Sequence, residues 1–262
     1  MFNIKEYTGE FIGTFIIVFF GCGSVASAIL FDSYGSLYEI AMVWFIGVSL
    51  AIYASNNFSE AHLNPAVSIA MVFARKFSIK KIPLYLIAQF TGAFVSAAFL
   101  YFIYSGFIYD YEISNSIIRG TENSIVTASM FGEYFPNPGF ASKITSVTAF
   151  QAFVAEAVGT FVLVFMILWS TEKNNISKFT PLIIGFTVAA LITLLAPISQ
   201  GGFNPARDFG PRIFSYFAGW GNIVFQKPNF SFATVYIFGP IVGGILASLL
   251  YNFLKTKVIK IN

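Results

Sequence analysis

Six separate apolar runs set the frame for this chain, because one helical crossing of a hydrocarbon core takes about 20 such residues. They fall at roughly 8–31, 37–55, 82–106, 147–169, 180–198 and 232–254. The segments are too long for barrel strands and show no alternation of apolar and polar residues. Only 10% of the chain is charged while 56% is hydrophobic, against about 25% charge in an ordinary soluble domain. Most of the surface is therefore expected to face lipid. Gly and Ser recur within the runs, at Gly9 and Gly13, Gly92 and Ser96, Gly239 and Gly243, as suits close helix packing in a bilayer. The expected fold is an all-α membrane protein with six transmembrane helices.

The loops orient it. Lys5, Arg75, Lys76, Lys80, Lys81, Lys173, Lys178, Lys255, Lys257 and Lys260 fall on one side, leaving Arg119, Lys143, Arg207, Arg212 and Lys227 on the other. Basic residues favour the cytoplasm, so both termini are expected there, in a multi-pass protein of the cell membrane. Glu6 and Glu10 stand where a cleaved signal carries basic residues, so the first span is expected to be retained. A net charge of +3 calls for no nucleic-acid partner. One cysteine, Cys22, allows no intrachain disulfide, and one histidine, His62, gives no zinc site of usual type. No cofactor is expected.

The chain repeats itself. Glu10-Phe11-Ile12-Gly13-Thr14-Phe15 opens the first span and Glu156-Ala157-Val158-Gly159-Thr160-Phe161 the fourth. The single domain, 1–262, divides into repeat 1 at about 1–106, a connecting loop at about 107–146 and repeat 2 at about 147–262. Three spans per repeat is odd, so the second repeat enters from the opposite side, and such inverted repeats place a pathway near the midplane.

Each repeat carries one Asn-Pro-Ala, Asn64-Pro65-Ala66 and Asn204-Pro205-Ala206. Asn caps a helix and Pro suits its first turn, so helices are expected at about 64–75 and 204–218, each roughly half a bilayer core long. The preceding loops are polar and non-helical. Irregular backbone at membrane depth survives only when buried in protein or lining a wet cavity. Two half-helices in an inverted repeat therefore point to a pore.

Along essentially its whole length the sequence resembles the aquaporin, or major intrinsic protein, family, above all its glycerol-facilitator branch. The likeness rests on Ala61-His62-Leu63-Asn64-Pro65-Ala66-Val67 and Asn204-Pro205-Ala206-Arg207-Asp208-Phe209-Gly210-Pro211. Phe135-Pro136-Asn137-Pro138, Ala218-Gly219-Trp220-Gly221-Asn222 and a third loop of about 40 residues support it. The resemblance implies a homotetramer with one pore per subunit, passing glycerol, water and other small neutral solutes, and no enzymatic activity. It implies that Asn64 and Asn204 meet at mid-membrane as donors, and that Trp44, Ile192, Gly201 and Arg207 form a narrower outer filter. Glycerol facilitators usually have Gly at the position of Ile192 and Phe at that of Gly201. The resulting Trp, aliphatic, small, Arg set is similar to that of plant nodulin-type intrinsic proteins.

Glu60, Ala61, His62 and Leu63, with Gln200, Gly202 and Phe203, are expected to line the pore loops. Glu60, where the family usually has Gly, is expected to cap loop backbone or serve the cytoplasmic vestibule. His62 should hold its loop, and Arg207 should add a full positive charge at the filter. Glu10 and Glu156 are expected to accept hydrogen bonds from loop N–H groups, and Asp208 to support the first turn of its half-helix. The alternatives are a mainly water-selective pore, a proton-coupled carrier, and an intramembrane enzyme, for which no nucleophile–base pairing is suggested.

Overall fold

The computed structural model describes residues 3–140, 142–144, 146–172, 177–226 and 230–257. Lys173, Lys227 and Lys260, used above for orientation, lie outside them. Helix α1 (Ile4–Phe31) begins where the Asn3 side chain accepts from the Lys5 and Glu6 N–H groups, and ends at Asp32 in the left-handed region. Helix α2 (Leu37–Ser55) and the half-helix α3 (Pro65–Phe73) follow. Helix α4 (Ile82–Ser114) closes the first repeat. The second repeat runs through α5 (Ala149–Ser170), α6 (Thr180–Ser199) and the half-helix α7 (Pro205–Ser215) to α8 (Gly239–Lys257). A wide π-type turn, Thr234–Phe238, leads into α8. Among the described residues no strand forms, and six helices are long and apolar enough to cross a membrane.

Helix α4 is longer than the third apolar run. Residues 107–114, expected in the connecting loop, continue it, because Phe107-Ile108-Tyr109 sustain the helix and Ile108 and Glu112 are buried. The half-helices are shorter than expected. Arg75 turns to φ 59° just after α3, and past Ser215 the backbone widens through Tyr216–Trp220, where Gly219 takes φ 107°.

Helix packing obeys the repeat. Helix α4 lies against α1 with Gly92 over the Phe11 carbonyl, and α8 lies against α5 with Gly243 over the Ala157 carbonyl. Phe11 and Ala157 each follow the matched glutamate. Leu63 and Phe203, the residues before the two pore asparagines, seat their side chains against Gly13 and Gly159. Cys22 is a buried thiol. Lys81 pairs with Glu6 at 2.9 Å, and Glu172 pairs with Lys76 at 2.8 Å and Lys255 at 3.0 Å. These contacts bring the start of α1 and the end of α8 to one face of the bundle, here termed proximal. Bonding first to Lys76 and then to the Tyr251 hydroxyl holds the Glu172 carboxyl down at about 2.

Candidate pore

Asn64 and Asn204 cap α3 and α7: each side-chain oxygen accepts from the two N–H groups that follow the proline, Ala66 and Val67 in one repeat, Ala206 and Arg207 in the other. The amide nitrogen is then left to donate. Asn64 Nδ2 donates to the Phe203 carbonyl at 2.8 Å, and Asn204 Nδ2 to the Leu63 carbonyl at 2.8 Å. Each asparagine thus bonds the residue just ahead of the other. This reciprocal pair sets the half-helices end to end and leaves one further N–H per amide.

Behind each loop stands a fully buried glutamate. Glu10 accepts from Ser59 Oγ (2.8 Å), His62 N (3.0 Å), Leu63 N (2.7 Å) and Gln89 Nε2 (2.7 Å). Glu156 accepts from Ser199 Oγ (2.7 Å), Gly202 N (3.0 Å) and Phe203 N (2.6 Å). A trans peptide is planar, its N–H and C=O pointing opposite ways. With the N–H groups of His62, Leu63, Gly202 and Phe203 aimed at carboxylates, the carbonyls of Ala61, His62, Gly201 and Gly202 point away from them. Left-handed backbone at Ala61 (φ 49°), Leu63 (φ 54°), Gly201 (φ 76°) and Phe203 (φ 50°) makes the turns. It recurs at matched positions of the two loops.

Those carbonyls meet a cavity of about 510 Å³ lined by Glu60 to Asn64, Gly201 to Asn204, Trp44 and Arg207. Ile17, Val48, Val67, Ile184 and Val188 form apolar wall. Polar groups of the loops share the lining with these apolar side chains. At the proximal mouth stand Lys76, Asn56 and Thr171. Glu60 is half exposed there, 3.6 Å from Lys81 and 3.8 Å from His62 Nε2. Its carboxylate faces the Lys81 ammonium, the His62 ring and the vestibule, not loop N–H groups. His62 Nδ1 lies 3.2 Å from Ser68 Oγ, and the ring packs edge-on to Phe77. It is a loop anchor.

A second cavity, of about 300 Å³, opens distally and includes Ile192, Gln200, Asn137 and Glu133 in its lining. Trp44 and Arg207 line both cavities, with the guanidinium 4.7 Å from the Trp44 ring centre. Of the four filter residues expected, these two stand at the junction. Ile192 lies on the distal side and Gly201 on the central side.

Two expectations change here. Arg207 is not a lone charge: the buried Glu133 carboxylate, from the connecting loop, pairs with it. Asp208 does not bond the first turn of its own half-helix. It accepts from Glu133 N at 2.7 Å and grips Arg212 through Nε (3.1 Å) and Nη2 (2.7 Å). Residue Asp208 lies a full turn beyond its Asn204 cap, so its carboxylate reaches sideways to the loop. Gln89 and Glu133 were missed because their partners sit 79 and 74 positions away. The repeat itself held no clue, since neither residue has a match in the other half.

Comparison with known proteins agrees with this geometry. The family model "Major intrinsic protein" matches residues 1–251. The glycerol uptake facilitator protein of Pseudomonas aeruginosa is 39% identical over 252 residues, covering 95% of this chain and 88% of that one. Its Escherichia coli counterpart is 37% identical over 247 residues, 93% and 85% of the two chains. The X-ray structure of the aquaglyceroporin from Plasmodium falciparum superposes with a TM-score of 0.80 at 31% identity, covering 98% and 97%. Six membrane-length helices, abutting half-helices capped by paired asparagines and a match over nearly the whole chain lead to one assignment: this chain belongs to the major intrinsic protein family.

Proposed function

We propose that the protein is a passive channel for glycerol and other small uncharged solutes, with some water permeability. The observation that carries this is the reciprocal pairing of Asn64 with the Phe203 carbonyl and Asn204 with the Leu63 carbonyl, within the wall of a cavity that mixes polar loop groups with apolar side chains. A solute that leaves water there exchanges its hydrogen bonds for others. The carbonyls of Ala61, His62, Gly201 and Gly202 act as acceptors, and the spare N–H groups of Asn64 and Asn204 act as donors. Glycerol, hydroxylated along one edge and C–H along the other, suits a wall that offers both polar groups and apolar side chains.

Protons are excluded where the positive ends of α3 and α7 converge, because a water accepting from both asparagines cannot relay a proton onward. Cations find no ring of carboxylates there to replace their water. Trp44, Ile192, Gly201 and Arg207 act as the filter. The proximal face, rich in lysine, is cytoplasmic, and the subunit assembles as a homotetramer in the cell membrane.

Proteoliposomes shrunk in a glycerol gradient test this reading. With the protein they re-swell far faster than empty vesicles and with low activation energy. Re-swelling at the empty-vesicle rate would sink it. In the same assay Ile192→Gly widens the distal wall of the filter. It is expected to speed passage of a four-carbon polyol by about tenfold, the effect of lowering its barrier by about 1.4 kcal/mol, and to change water flux little.

A further inference from the structure

We propose that Glu133 is a specificity-determining residue of the pore: its carboxylate compensates Arg207 and leaves the constriction electroneutral, so that it holds back anions as well as cations. This rests on the channel reading above.

The residue is held there by its backbone and by its loop. Glu133 is 1% exposed and forms an ion pair with Arg207 at the junction of the two cavities. Among the described residues its carboxylate oxygens take no hydrogen bond from any other group. Its backbone is clamped at both ends of the residue: Glu133 N donates to Asp208, and Arg212 donates to the Glu133 carbonyl. Neighbouring loop positions are stitched down as well. Tyr134 N donates to Gln200 Oε1 at 2.7 Å, and Asn137 Nδ2 to the Ala196 carbonyl at 2.8 Å. Such a set of contacts places the loop, but a Gln at 133 preserves every one of them. What the carboxylate adds is charge. Arg212 is already matched by Asp208 in a two-point pair, so without Glu133 the guanidinium of Arg207 keeps a bond to the Phe131 carbonyl but has no ion-pair partner among the described residues.

A planar guanidinium at the throat of a narrow, weakly screened passage is a natural site for a small planar anion. With Glu133 ionised, that site is already occupied from within the protein. Nitrate is a suitable probe, being planar, small and anionic across the whole working range of pH. Burial raises the Glu133 carboxyl to about 7, against the pull of Arg207. The other groups facing it are Tyr134 of its own loop, Asp208 and Arg212 of α7, Glu156 of α5, Tyr236 of the turn before α8 and Cys22 of α1. As pH falls through 7 the carboxyl takes up a proton, and the constriction gains net positive charge.

The test is glycerol flux into proteoliposomes with sodium nitrate or sodium gluconate outside. At pH 8 the wild-type protein and Glu133→Asp are expected to be indifferent to nitrate. Glu133→Gln is expected to lose about tenfold of its glycerol flux to nitrate, and Glu133→Gln/Arg207→Gln to recover indifference. Independently of any variant, the wild-type protein is expected to become nitrate-sensitive as pH falls through about 7. If Glu133→Gln fails to assemble, the wild-type pH series decides alone. Nitrate indifference in Glu133→Gln, or a wild-type flux indifferent to nitrate at acid pH, overturns the proposal while leaving the channel reading intact. Failure of glycerol to pass in gluconate would instead sink the channel reading.

Discussion

Glu156→Leu is expected to abolish glycerol flux and to leave little protein that survives detergent extraction as a single species. Three donors, Ser199 Oγ, Gly202 N and Phe203 N, lose their carboxylate partner in a site with no exposure. A buried donor left unpaired costs about 1–3 kcal/mol, so the loss is on the order of 3 kcal/mol or more, a large share of a membrane domain's margin. The effect on the pore is more direct. Nothing then holds the Gly202 and Phe203 N–H groups back, so the Gly201 and Gly202 carbonyls lose their direction. Glu156→Gln keeps one acceptor oxygen but turns an NH2 group toward donors. It is expected to fall between the two, with measurable flux and lowered thermal stability. The same pair of changes at Glu10 should behave alike, somewhat softened where Gln89 follows the altered side chain. Flux and detergent-melting curves measured side by side check this. Wild-type flux in Glu156→Leu would show that the carboxylate does not organise the loop.

Gly243→Leu is the second change expected to be severe. An added Cβ at this position would press into the Ala157 backbone carbonyl, which no side-chain movement relieves. Helix α8 must then move off α5, and with it go the Ser248 Oγ bond to the Ala70 carbonyl at 2.8 Å and the seat of the α3 half-helix. Overpacking typically costs about 1–3 kcal/mol. Gly243→Ala should sit within that range, and Gly243→Leu should exceed it and prevent assembly. Gly92→Leu, against the Phe11 carbonyl, should fail for the same reason. By contrast, Gly106→Leu has no neighbour to strike and should assemble normally. Yield of monodisperse protein, compared across the series, is the readout. A normal yield from Gly243→Leu would contradict the close crossing.

These two sites also mark how far the sequence could be read. The apolar runs gave the six long helices because a bilayer dictates their length, and Asn64 and Asn204 gave the half-helices because capping is a local preference. Glu10 and Glu156 were legible through the repeat, which turned an isolated acid into a matched pair with matched duties. Helix ends were less legible. Helix α4 continues beyond its apolar run to Ser114, since aromatic residues serve a helix outside hydrocarbon as well as within it. The connecting loop was opaque. Glu133 lies in a Tyr- and Phe-rich stretch with no periodicity, and its relation to Arg207 arises only once the Asp208–Arg212 pair has folded the loop onto α7. Arg207 was recognisable as a filter residue, but its electrical state was not. That depends on which loop the fold lays beside it.

The paired asparagines have a further consequence, for control. Because each amide fastens the opposite loop, drawing the two half-helices apart would break both bonds together and strand buried carbonyls on either side. The midpoint of the conduit is thus a weld, unsuited to serve as a valve. Any device that shuts this passage must act at its two mouths, among Glu60, Lys76 and Lys81 on one face or the Glu133 loop on the other.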